Sequence, residues 1–230
     1  MNFFWANSKL SWLRYLTLYS FRYYHPDWTI RLYTLNNHAK IDTWNSGESQ
    51  DVVNYDGRDY FNDINDLKTE IINWVAPFEN LAPAHASDIC QWEILHNCGG
   101  YYADMDILFI GPLPHDQYKH IDNLFCLSDG YMAIGFCGAV LGSNLMLDLL
   151  ARSKAIFDLY SYQSTGVITI YDLVKMYYWN IQPNPGNAAI ELLQRYYPTE
   201  NIDCLPSQCI YPYSWNEVNK IFNQVCTVPS

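Results

Sequence analysis

"HASDICQWEILHNCGGYYADMDILFI", residues 85–110, sets two glycines, two tyrosines and an Asp-Met-Asp triplet against a run of hydrocarbon side chains. Asp and Gly are poor strand formers, so "YYADMDILF" reads as a buried strand broken in its middle by acid. Upstream, the spacing predicts a helix from Ser87. Ile89, Trp92 and Leu95 recur at three-residue intervals, Asp88 falls in the first turn where the helix dipole favours a carboxylate, and Gly99–Gly100 end it. Helix, glycine pair and acid-broken strand form the centre of an α/β fold.

Working outward, "NFFW" (2–5) reads as a short strand. A helix follows, with Ser8 as N-cap and Leu10, Leu13, Leu16 and Tyr19 or Ser20 on its core face, closed by Pro26. "TIRLYT" (29–34) is the next strand, and strand–helix–strand implies a parallel sheet. Glu48, Asp51, Asp56, Asp59, Asp63 and Asp66 crowd the stretch 43–70, which reads as a surface excursion with short helices. Downstream, "NLFCLS" and "YMAIGF" are buried strands, 143–157 is an amphipathic helix, and "GVITIYDLVKMYYW" and "NAAIELLQRYY" are two more. "PNPG" (183–186) is a turn. Nothing resembles a linker, so residues 1–230 are expected to form one α/β domain.

The net charge is −11, and the 13 Lys and Arg residues never adjoin one another. That disfavours nucleic acid as the main partner, because polyanion binders concentrate basic residues on one face. The 20 Tyr and 8 Trp exceed what a core needs and offer flat surfaces with one polar edge, suited to sugars and nucleobases. Seven cysteines with no C-x-x-C spacing argue for free thiols rather than a zinc site. No signal peptide or transmembrane segment is evident, and the expectation is a reduced, cytoplasmic protein of a bacterium or a virus-infected host.

Strand positions i and i+2 face the same side, so Asp104 and Asp106 can point together. At roughly 6 Å and an effective dielectric of about 20, two such carboxylates repel by about 2–3 kcal/mol. A cation between or beside them relieves this. Their hard oxygens suit Mg²⁺ or Mn²⁺, a metal that proteins commonly share with a ligand phosphate. The strand-end position is also where open α/β sheets bind ligands.

The whole stretch "SDICQWEILHNCGGYYADMDILF" resembles the DXD-containing site of glycosyltransferase family 32, whose relatives include the glucosylating domains of large clostridial toxins. "FFWANSKLSWLRYLTLYSFRYYHPDWTIRLY", "STGVITIYDLV" and "IYPYSWNE" resemble that family's opening strand and helix, its T-G-P segment and its late Y-P-x-x-W segment. The resemblance implies a GT-A fold, a Rossmann-like, mostly parallel sheet flanked by helices that holds a nucleoside-diphosphate sugar such as a UDP- or GDP-hexose, with Mn²⁺ or Mg²⁺. Carried over by position, Asp106 coordinates the metal, and Asp104 binds ribose or sugar or reaches the metal through water. Asp88 holds sugar hydroxyls, Tyr102 lines the site, and Trp5 stacks on the base.

The chain departs from the family at three places. Gln91 stands where the family has Arg, and an amide supplies neither the charge nor the fork of a guanidinium. The family's Asn before its later helix has no clear match, with Gly135 or Phe136 falling nearby. The family's C-terminal H…S-W segment has no match before Ser230, and Ser214 and Trp215 are the residues expected to substitute for it.

Three functions follow. The first is a metal-dependent transferase, retaining by resemblance, moving a hexose to a hydroxyl of a glycan, lipid or protein. The second acts on hydroxylated bases of phage-type DNA, which needs Arg14, Arg22 and Arg31 to form a basic strip. The third is a catalytically weak nucleotide-sugar-binding protein.

Overall fold

The computed structural model describes residues 1–6, 9–35, 55–79, 81–176 and 185–211. Seven strands form one sheet, β1 (Asn2–Trp5), β2 (Ile30–Leu35), β3 (Thr69–Trp74), β4 (Gly100–Ala103), β5 (Asn123–Ser128), β6 (Tyr131–Ala139) and β7 (Ile202–Leu205). Their order is β3-β2-β1-β4-β6-β5-β7. Strands β3, β2, β1 and β4 pair in parallel, β6 runs antiparallel to both its neighbours, and β7 pairs parallel to β5. The sheet is therefore mixed, with β6 alone reversed among the described strands.

Period-two alternation divides the core in two. Phe3, Trp5, Ile30 and Leu32 face one side with helix α1 (Trp12–Tyr24) and a 3-10 helix (Phe61–Leu67). Phe4, Tyr33 and Leu35 face the other. There lie α2 (Pro83–Cys98), α3 (Asn144–Ala155), α4 (Val167–Leu173) and α5 (Pro185–Tyr196). The chain leaves β1 toward β2 on one side, and β4 enters on the other. The crevice beyond the carboxyl ends of β1 and β4 is thus the point where strand order reverses, which is where open α/β sheets bind ligands.

Several expectations are corrected. Helix α1 is capped by Ser11, whose Oγ accepts from the Arg14 amide, and Ser8 lies outside the described residues. The core face of α1 is rotated from the one expected, although Leu10 and Ser20 are buried as expected. Thr17, Leu18, Ser20 and Phe21 are buried, while Leu13 and Tyr19 are exposed. Helix α2 starts at Pro83, whose fixed φ and missing N–H suit a first turn. Asp88 is its sixth residue, so the dipole argument for it does not hold. Thr69 and Glu70, read as the end of the surface excursion, open edge strand β3; the excursion's residues 43–54 lie outside the described ones. Pro185 and Gly186 of the expected turn open α5.

Candidate active site

The triplet does not interrupt a buried strand. Strand β4 ends at Ala103, and Asp104, Met105 and Asp106 form the turn beyond it. Met105 is buried in the α1-side core, and its carbonyl accepts from Thr17 Oγ1 at 2.8 Å. The hydrocarbon member thus pegs the turn down, and the two aspartates flank it at the surface. Asp106 is 52% exposed, with Arg14 Nη1 3.7 Å from its carboxylate. That guanidinium also lies 5.9 Å from the Trp5 ring centroid, so Arg14 bridges the ends of β1 and β4.

Asp104 is held from two directions, with Tyr211 nearby. Its backbone N–H donates to the Gly135 carbonyl of β6 at 2.7 Å. The Tyr102 hydroxyl, paired with Ser87 Oγ at 2.6 Å, lies 3.3 Å from Asp104 Oδ1. Tyr211 lies near Asp104 and beside Gly135. A Cβ on Gly135 would collide with the Tyr211 hydroxyl and stand 2.9 Å from Asp104 Oδ2, so the absence of a side chain at 135 makes room for both groups. Burial pushes the Tyr211 phenol well up, and Asp104 and, more weakly, Asp106 push in the same direction. Tyr211 therefore stays protonated beside the acidic pair, as a neutral donor.

Asp88 faces the same place from α2. Thr165 Oγ1 donates to its Oδ2 at 2.9 Å, and a Cβ on Gly166 would stand 2.7 Å from that oxygen. Thr165 is in turn fixed by Trp92 Nε1, which donates to its carbonyl at 2.9 Å. Burial pushes the Asp88 carboxyl well above the usual carboxylate range. The Thr165 hydrogen bond opposes this, and the negative charge of Asp104 adds to it. Two carboxyl groups in unequal environments result, one held toward its neutral form and one at the open rim.

The structure brings Asp88, Tyr102, Asp104 and Asp106 together with Trp5 and leaves Gln91 out. Tyr102, expected to line the site, is fully buried, and its hydroxyl donates to Asp104 from beneath. Gln91 is also buried, and its amide donates to the Ile134 carbonyl, tying α2 to β6. The position that holds Arg in the family here carries a neutral strut. Ser214 and Trp215 lie outside the described residues. Arg14 and Tyr211 were missed as site residues. Arg14 was named only as part of a basic strip for DNA, not as a neighbour of Asp106, whereas Tyr211 sits in the quoted "IYPYSWNE" segment.

No group of three or more His, Cys, Asp or Glu side chains that could hold a metal is found among the described residues. A two-carboxylate rim still fits Mg²⁺ or Mn²⁺, which keep waters and take substrate phosphate oxygens as their remaining ligands. A separate cavity of about 280 Å³ lies at the other end of β4, lined by Gly99, Gly100, Tyr101, His115 and Leu141 among others. No carboxylate lines it. No helix among the described residues is long and apolar enough to cross a membrane, and the six described cysteines are free.

Residues 15–124, from α1 through the acidic turn to the start of β5, match the family model described as a glycosyltransferase sugar-binding region containing a DXD motif. Among solved structures, the chain is similar to the PaToxG glycosyltransferase at 12% identity. The TM-score is 0.53, covering 86% of this chain and 72% of that one. At that identity the likeness is one of fold, and it bears out the GT-A architecture. No curated protein matches the chain.

Proposed function

We infer that this chain is a glycosyltransferase of the DXD class, and we propose that it moves a hexose from a nucleoside-diphosphate sugar to an acceptor hydroxyl. The observation that carries the reading is the convergence of Asp88, Asp104 and Asp106 at the strand-order reversal, inside the segment that matches the DXD family.

Asp106, and Asp104 directly or through water, would hold Mn²⁺ or Mg²⁺, which supplies positive charge to a diphosphate leaving group. The chain's own groups do the rest. Tyr102 and Gly135 fix Asp104, so its orientation needs no rearrangement when donor arrives. Asp88, held toward its neutral form and oriented by Thr165, can both accept from and donate to sugar hydroxyls. Arg14 already faces Asp106 and is placed to meet phosphate oxygens as a charged fork. Trp5 is buried in the α1-side core with Arg14 over its ring, so stacking of a base on it requires that face to be uncovered first. In the transfer, the bond from the anomeric carbon to the diphosphate oxygen breaks, and the acceptor oxygen bonds that carbon. The acceptor proton leaves with the diphosphate. Retention of configuration rests on the family resemblance.

The DNA-directed reading loses its basic strip. Arg14 faces Asp106, Arg31 pairs with Glu70 at 3.0 Å, and Arg22 is spent on the carbonyls of Leu67, Pro26 and Trp28. The test is a thermal-shift panel of UDP- and GDP-hexoses with and without Mn²⁺. A donor at about 100 times its dissociation constant adds roughly 2.7 kcal/mol, a rise of about 5–11 °C for a chain of this size. Absence of a shift with every donor in Mn²⁺ sinks the reading. A shift without hydrolysis or transfer favours the binding-protein alternative.

A further inference from the structure

Helix α1 carries its aromatic residues on the wrong face for a core. At 100° per residue, positions 12, 15, 19 and 23 fall within about 80° of one another, opposite the buried Phe21. Trp12, Tyr19 and Tyr23 are 48%, 47% and 70% exposed. The rings form a connected ladder. Trp12 stacks on Tyr15 at 5.4 Å and 25°, Tyr15 meets Tyr19 at 6.0 Å and 34°, and Tyr60 closes against Trp12 and Tyr15 at 5.3 and 5.8 Å. From Trp12 to Tyr23 the stripe runs about 16 Å at 1.5 Å per residue. Its Trp12 end is the end of α1 that starts just beyond the carboxyl end of β1; Arg14, which reaches Asp106, projects from the other side of the same first turn.

An aromatic face of this extent on a protein surface marks a contact site, and its chemistry narrows the occupant. Asp63 and Asp66 lie close enough to Tyr15 to raise its phenol, after the larger effect of burial. Asp63 is itself paired with Arg58, whose guanidinium lies 4.6 Å from the Tyr60 ring centroid, so the charges along the stripe are matched and give nucleic acid or an anionic membrane no concentrated basic face. Apolar ring faces beside hydroxyls and carboxylates suit a neutral, polyhydroxylated ligand whose C–H faces stack and whose O–H groups donate. The length suits an extended chain rather than one sugar ring.

We propose that the α1 ladder binds the chain of a neutral oligosaccharide acceptor, with its reacting end beyond Trp12. The inference rests on the glycosyltransferase reading for the word acceptor, but the binding itself can be measured without it.

Four neutral pentasaccharides, cellopentaose, maltopentaose, xylopentaose and chitopentaose, are titrated against the full chain by calorimetry and saturation-transfer NMR. The measurement is repeated on Trp12→Ala, Tyr19→Ala and Trp12→Phe. At least one pentasaccharide is expected to bind. Each alanine variant should weaken it about tenfold or more, as loss of an aromatic anchor does, and Trp12→Phe should stay within about threefold, as a ring that keeps the stacking face should. The donor-induced thermal shift should be unchanged in all three, which also shows that they fold. Binding by none of the four, or equal binding by Trp12→Ala and Tyr19→Ala, overturns the proposal. So does a concentration-dependent dimer that these variants abolish, since a second copy would then occupy the stripe. A wild type that binds pentasaccharide through the ladder but shows no donor shift leaves the stripe standing and removes the transferase reading.

Discussion

Gly135→Ala separates the site's geometry from the fold's stability. Gly135 lies inside β6 without a positive φ, so its backbone accepts alanine, and the unfolded chain loses about 0.4–1 kcal/mol of freedom in favour of folding. Against this, the new Cβ runs into the Tyr211 hydroxyl and stands 2.9 Å from Asp104 Oδ2. Overpacking of this kind costs about 1–3 kcal/mol. Both obstructing atoms are the ends of side chains that can turn aside, so a net cost of about 1–2 kcal/mol is expected, a fall in Tm of about 2–8 °C. The site has less slack. Asp104 must move from the position set by Tyr102 and the Gly135 carbonyl, and a displacement near 1 Å costs about 100-fold in rate. Mn²⁺-dependent donor hydrolysis, measured well below the variant's Tm, should therefore fall about 100-fold in a protein that remains folded. Hydrolysis within threefold of wild type would refute the claim that Gly135 seats Asp104. So would a loss that merely follows the unfolded fraction.

Two further outcomes are expected. Thr165→Val removes the donor to Asp88 Oδ2 while keeping shape; it should cost about 1–2 kcal/mol of stability and about tenfold in kcat/KM for the donor, read by steady-state hydrolysis. Glu200→Gln removes a carboxylate that accepts from Asn123, Ser143 and the Asn144 amide at the start of α3, and should cost about 1–2 kcal/mol at pH 7 by urea unfolding. Burial raises the Glu200 pKa, but the hydrogen bonds outweigh it and leave it below the usual 4.5. A lowered folded pKa gives stability that is complete above the unfolded value and is lost as pH falls. The gap between wild type and Glu200→Gln should thus be full above pH 4.5 and close below it. A gap unchanged at pH 3 would contradict this.

The centre of the fold was legible because its signals are local. Gly99 and Gly100 adopt positive φ at the helix-to-strand junction, whereas the i, i+2 strand rule does not apply to Asp104 and Asp106, which lie in the turn beyond β4. Where tertiary context decides, the reading failed. Strands β3 and β7 lie at the two edges of the sheet, and residues such as Glu70, Asn73 and Asp203 blunt the hydrophobic pattern there. In α1, Leu13 and Tyr19 look like core by composition, but Thr17 and Ser20 take the inner face because each meets a backbone group of the acidic turn's extension. The contact between Asp88 and Thr165 spans 77 residues and has no pattern in the sequence at all. Asp88 was chosen for the wrong local reason, as a first-turn carboxylate, yet the family resemblance put it in the site.

The most direct measurement is the rate of nucleoside-diphosphate hexose hydrolysis against Mn²⁺ concentration for wild type, Asp104→Asn and Asp106→Asn, with folding checked by thermal unfolding. The account predicts saturable, metal-dependent hydrolysis in wild type. It predicts a loss of about 100-fold or more in both folded variants, the scale seen when a group stabilising charge in the transition state is removed. Undiminished metal-dependent hydrolysis in Asp104→Asn and Asp106→Asn would contradict it.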